Sequence, residues 1–258
     1  MDTRTMVVHT LNHSLSQHEK VLQMGKQRMK KEKKFKKETK VYQTEHKVQP
    51  ILPQTRNQQD LIDAINFNDQ VISTGSAGTG KTFISAGMAA DWYAQRASRR
   101  IIITRPMVPV GEDMGHLPGD VNEKTVPWAL PVLDVIKQRV GENKLKCDLG
   151  KSIEIVPLQM MRGRTFDDAW ILADECQNLS IPQAKMLITR IGTNSKLLIN
   201  GDLKQKDIPM VSGLSWLLQQ VERYDLPVPV VEFTLDDCQR SDTCKMWLEV
   251  MEAEDNRT

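Results

Sequence analysis

The sequence has few cysteines, few aromatic residues and no long apolar run. Its 258 residues hold four cysteines, Cys147, Cys176, Cys238 and Cys244. None forms a CxxC pair, and the five histidines are not spaced like zinc ligands. This argues against a disulfide scaffold or a zinc ribbon and fits free thiols in a reducing compartment. Phe, Trp and Tyr make up 5% of the chain, which leaves few platforms for stacking nucleobases. No apolar stretch approaches the ~20 residues of a membrane span. The start, "MDTRTMVVHTLNHSLSQ", lacks the apolar block of a signal peptide. These absences predict a cytoplasmic protein with no membrane partner.

What is present begins with charge. The net charge of +2 hides an asymmetry. Residues 26–47, "KQRMKKEKKFKKETKVYQTEHK", carry ten Lys or Arg against three Glu. Residues 1–47 lack a sustained apolar period and are expected to form a basic, mobile tail. Lys30, Lys31, Lys33, Lys34, Lys36 and Lys37 could neutralise nucleic-acid phosphates, with Phe35 and Tyr42 as sparse stacking groups. A solvated charge run is the plainer reading of the same segment. Pro50 and Pro53 mark the entry to a folded domain, expected over residues 48–258.

Within that domain, strand-like and helix-like patterns alternate. Strands are expected at 70–74, 100–105, 152–158, 169–174, 195–200 and 228–234. Helices are expected at 82–96, after Pro131 to 140, and at 181–191, 213–224 and 242–254. The strands are apolar rather than half-polar. That predicts an α/β fold with a mostly parallel sheet and helices on both faces.

The most informative segment is Gly75-Ser76-Ala77-Gly78-Thr79-Gly80-Lys81-Thr82. It fits the phosphate-binding pattern G-x-x-x-x-G-K-[ST] without a mismatch. Glycines allow the backbone to turn several N–H groups toward one anion. The helix that follows aims its positive end at the same place. Lys81 adds a full charge toward the β and γ phosphates, and the Thr82 hydroxyl suits Mg²⁺. The expected ligands are therefore a nucleoside triphosphate and Mg²⁺.

Such a loop needs a carboxylate to hold the metal and often a second to orient water. "AWILADECQN" places Asp174 and Glu175 at the end of an apolar strand. Asp174 is expected to hold Mg²⁺, and Glu175 to align the attacking water or take its proton. A further strand ends in Gly201-Asp202, with Gln205 just beyond. These polar groups could touch the γ-phosphate, or they could form an ordinary turn.

Together these residues resemble the PhoH family of P-loop ATPases, from about Gln54 to the end. The likeness is carried by "NQQDLIDAI", "GSAGTGKT", "TRPMVPVGEDMGHLPGD", "EIVPLQMMRGRT", "WILADECQN" and "TRIGTNSKLLINGDLKQKDIP", in that order. The chain is similar to the compact single-domain versions carried by bacterial viruses. Cys176 departs from the alanine usual there. The resemblance implies an ATP-hydrolysing, RecA-like core similar to the first motor domain of superfamily 1 helicases. It implies that Gln58 reads the adenine edge and that Gln205 contacts the γ-phosphate. The "DDCQRSD" segment with Arg240 matches less closely.

Superfamily 1 helicases close ATP between two cores, and this chain has room for one. A neighbouring copy could supply the missing arginine, which predicts a ring-like homo-oligomer. The hexamer number leans on the resemblance. The candidate arginines are Arg162, Arg164, Arg190 and Arg240. Single-stranded RNA or DNA is the expected partner. An ATP-dependent switch for a protein partner is the alternative, and a small-molecule kinase ranks last. The proline- and glycine-rich "TRPMVPVGEDMGHLPGD", with His116, suits either a nucleic-acid contact or a structural loop.

Overall fold

A computed structural model describes residues 49–95, 98–106 and 121–255. The basic segment 1–47, His116 and most of the "TRPMVPVGEDMGHLPGD" stretch lie outside the described residues.

The chain order is α1 (Arg56–Phe67), β1 (Gln70–Gly75), α2 (Lys81–Ala94), β2 (Arg100–Thr104), α3 (Val121–Val140), α4 (Glu142–Asp148), β3 (Ile153–Ile155), β4 (Ala169–Ala173), α5 (Ile181–Ile188), β5 (Lys196–Gly201), α6 (Gly213–Arg223), β6 (Val230–Phe233) and α7 (Asp242–Asp255). The six strands form one sheet in the order β3-β2-β4-β5-β1-β6. Every pairing is parallel. The register sets Thr74 of β1 opposite Gly201 of β5, and Thr104 of β2 opposite Ala173 of β4. All the carboxyl-terminal strand ends therefore open on one edge of the sheet.

Each face of the sheet buries its own core. On one face Ile101, Ile103, Trp170 and Leu172 pack against Ile84 and Ala89 of α2 and Val132 and Ile136 of α3. On the other, Ile102, Ile171 and Leu197 meet Leu187 of α5 and Leu214 of α6. Burial on both faces explains why these strands read as apolar runs. Each fully buried Leu or Ile is worth about 2 kcal/mol. Arg139 near the end of α3 bonds both carboxylate oxygens of Asp91 near the end of α2, locking the two helices side by side.

Caps place the helix starts. The Thr55 hydroxyl accepts from the Gln58 N–H ahead of α1. Ser180 and Gln183 form a reciprocal capping box ahead of α5, worth about 1 kcal/mol.

Two expectations need correction. The helix foreseen only after Pro131 runs unbroken over Val121–Val140, with Pro127 and Pro131 inside it. Both prolines face solvent, where water can satisfy the carbonyls they leave unpaired. The strand foreseen over 152–158 shortens to three residues, Ile153–Ile155, followed by a 3₁₀ turn at Leu158–Met161. Pro157, just before that turn, has no N–H to extend the ladder.

Candidate nucleotide site

The loop between β1 and α2 lies at the carboxyl-terminal edge of the sheet. Gly78 has a φ of 76°, and an added Cβ would stand 2.6 Å from Cγ of Arg240. Glycine is required there both by the backbone and by the close approach of that arginine. The Gln239 N–H donates to the Gly78 carbonyl at 2.9 Å, so the segment after β6 is tied to the loop. Asp237 anchors that segment. It accepts from the Thr234 N–H at 3.0 Å and from Asn57 Nδ2 of α1 at 2.7 Å.

Lys81 Nζ donates to the carbonyls of Gly75 and Ser76, both at 2.7 Å. Burial pulls the Lys81 ammonium below its ordinary pKa, against the carboxylates of Asp202, Asp174, Glu175 and Asp237. Gln58 is buried at 5% exposure. Its Nε2 donates to the Thr79 carbonyl at 2.9 Å and its Oε1 accepts from the Gln54 N–H at 2.7 Å. In this structure it braces the loop.

Asp174 follows β4 directly. Thr82 Oγ1 lies 3.0 and 3.2 Å from its two carboxylate oxygens. Burial pushes the Asp174 carboxyl up, and the neighbouring Glu175 adds to this. A cation between the hydroxyl and the carboxylate would relieve that penalty. The described residues contain no group of three or more His, Cys, Asp or Glu able to hold a metal. Two protein oxygens with phosphate and water suit Mg²⁺, which keeps several waters.

Glu175 has a left-handed backbone, φ 54°, which costs an L-residue about 1 kcal/mol. Its Oε1 lies 3.8 Å from the Arg105 guanidinium at the tip of β2. Gln205 ends the exposed turn Leu203–Gln205, directly after Asp202. Burial raises the Asp202 carboxyl, partly offset by the Lys204 N–H and the charge of Lys81.

The arginine candidates separate. Arg240 lies against the loop within the same chain. Arg164 bonds Glu154 at 2.8 Å and stacks on Phe166, on the run into the start of β4 and away from the loop. Arg190 donates to the Arg164 carbonyl at 2.9 Å and is held there too. Arg162 is exposed and lines a groove of about 310 Å³ with Leu158, Gln159, Pro182, Gln183 and Met186.

Several contributors are not evident from the motif. Asn200 in β5 is 3% exposed. It accepts from Ser73 of β1 at 2.7 Å and from Ser85 of α2 at 3.3 Å, and its side chain also hydrogen-bonds Asp174. The available signal was a polar residue inside an apolar strand, as in "KLLIN" and "QVIST".

The family model described as "PhoH-like protein" matches residues 50–252. The chain belongs to the PhoH-like family. It is 42% identical over 205 residues to Protein PhoH of Escherichia coli (strain K12), covering 77% of this chain and 57% of that protein. It is 37% identical over 193 residues to a PhoH-like protein of Bacillus subtilis (strain 168), covering 74% and 60%. The chain thus spans less than two thirds of the length of these PhoH-like relatives. Among solved structures, the large terminase of a thermophilic bacteriophage aligns with a TM-score of 0.48 at 14% identity, covering 74% of this chain and 48% of that one. Among the described residues no helix is long and apolar enough to cross a membrane.

Proposed function

We propose that this PhoH-like chain binds ATP with Mg²⁺ and hydrolyses the γ-phosphate, as a nucleic-acid-dependent ATPase working in a ring of copies. The observation that carries the reading is the contact of Thr82 with Asp174. It joins the phosphate loop to the acidic strand tip and sets Glu175 beside them. Lys81 and the loop amides would hold the β and γ phosphates. Mg²⁺ between Thr82 and Asp174 would neutralise charge developing on the phosphate oxygens. Glu175 would align the attacking water and accept its proton.

The nucleic-acid part is supported by the +7 charge of residues 26–47, which would make binding fall steeply with salt. RNA is favoured over DNA by family resemblance alone. A specific observation favours the second reading, an ATP-driven switch for a protein partner. Met246, Trp247, Val250 and Met251 form an exposed apolar stripe on α7, of the kind that marks docking surfaces.

One experiment separates the readings: ATP turnover with and without single-stranded RNA or DNA, at several salt concentrations. Stimulation that fades with salt supports the motor. Turnover indifferent to polynucleotide supports the switch. No turnover by the purified chain, with no ATP binding, ends both.

A further inference from the structure

Two amide side chains follow the acidic pair, and both are buried. Gln177 is 1% exposed and Asn178 is 8% exposed. Gln177 Nε2 donates to Glu175 Oε2 at 2.7 Å and to the Gln205 carbonyl at 3.3 Å. Its Oε1 accepts from the Asp202 N–H at 3.1 Å. One side chain thus holds the candidate water-aligning carboxylate and, at the same time, both ends of the Asp202–Gln205 turn. Gly201 makes room for it: an added Cβ there would come 3.0 Å from Gln177 Oε1 and 2.9 Å from its backbone nitrogen. Asn178 repeats the pattern one residue on. It donates to Asp207 Oδ2 and accepts from the Asp207 N–H, both at 2.8 Å.

A purely structural staple needs only bonds to the segment it holds, as Asn178 makes to Asp207 two residues beyond the turn. The bond from Gln177 to Glu175 is of another kind. Glu175 is a partly exposed carboxylate, with the Arg105 guanidinium 3.8 Å away. Gln177 decides where Oε2 points. A shift of the Asp202–Gln205 turn must drag Gln177, because both ends of its amide are tied to that turn. Its grip on Glu175 then changes.

We propose that Gln177 is a positioning residue that transmits the placement of the Asp202–Gln205 turn to the Glu175 carboxylate, so that water is aligned only when the turn is in place. The inference rests on the ATPase reading above.

The test uses the full chain with Gln177→Leu, Gln177→Met, Gln205→Ala and the Gln177→Leu/Gln205→Ala pair. Gln177→Met keeps the length and bulk of the buried side chain and loses the amide, so it remains informative if the leucine variant folds poorly. Expected for both Gln177 variants is ATP binding close to wild type and a kcat lower by on the order of a hundredfold, the scale of a misplaced catalytic group. KM should move little. In the double variant the two losses should fall well short of multiplying, because both residues act along one path. Fully multiplicative losses, an unchanged kcat, or loss of ATP binding in step with kcat would overturn the role of Gln177. A wild-type chain that does not hydrolyse ATP would instead remove the reading beneath it, and the wild-type assay alone reports that.

Discussion

Asn200 is a polar side chain in the middle of a buried sheet, and its neighbours account for it. Its Oδ1 takes the hydroxyls of Ser73 and Ser85, leaving its N–H groups to hold Asp174. Partners one step removed from a metal commonly tune affinity by about 10- to 100-fold. Asn200→Leu should therefore raise the Mg²⁺ concentration for half-maximal turnover by roughly tenfold. A magnesium titration of ATPase activity checks this, and an unchanged midpoint would remove Asn200 from the site. Lys81 and Thr82, and separately Asp174 and Glu175, were nominated from the sequence because each pair sits in its own contiguous motif. Asn200, Gln177 and Arg105 were not, because their contacts with Ser73, Asp202 and Glu175 respectively bring together segments that are neighbours only after folding. Cys176 is a bystander. Its thiol is fully buried and burial pushes its pKa far up. A thiol reagent should label exposed Cys147 in the native protein and reach Cys176 only after unfolding.

At the scale of elements, the strands were readable and some helices were not. Strands covered on both faces appear as apolar runs, and β1, β2, β4 and β5 fall close to where such runs occur. Helix α1 is rich in Gln and Asn and shows its buried face only at Gln58, Leu61 and Ile65. The short α4, seven residues long, is too brief to show a period. The edge strand β3 is held by the buried Ile153 and by Glu154, which takes Arg100 from β2 and Arg164 from the approach to β4. Burial pushes the Glu154 carboxyl up, but these two arginines outweigh it and hold the pKa below the ordinary value of 4.5. A depressed folded pKa adds stability above the unfolded pKa and loses it as pH falls through the folded value. Glu154→Gln should thus lower the thermal midpoint at pH 7 and make less difference at an acid pH where the folded carboxyl is protonated. Because the group is partly exposed, the effect should be about 1 kcal/mol. Equal destabilisation at both pH values would contradict the assignment.

For the whole molecule, the proposed ring ATPase raises the question of which arginine would reach the γ-phosphate. Arg240 is already at the loop of its own chain, while Arg162 is exposed on the groove beside α5. If a ring shares its sites, Arg162 is the residue a neighbour can present. Lys81→Ala and Arg162→Ala should each be inactive alone. Mixed in equal amounts they should recover turnover, because roughly a quarter of the interfaces in a random ring pair an intact loop with an intact arginine. No recovery on mixing, with Arg240→Ala inactive at every concentration, would make the site self-contained. Helix α3 is also unevenly laced along its length. Pro127 and Pro131 remove two rungs from the ladder of α3 within five residues. Arg139 meanwhile clamps the far end of that helix to α2. Backbone opening of α3 should therefore begin in its first half, ahead of the clamped one. Amide exchange in that half should outpace exchange in the clamped half by a wide margin.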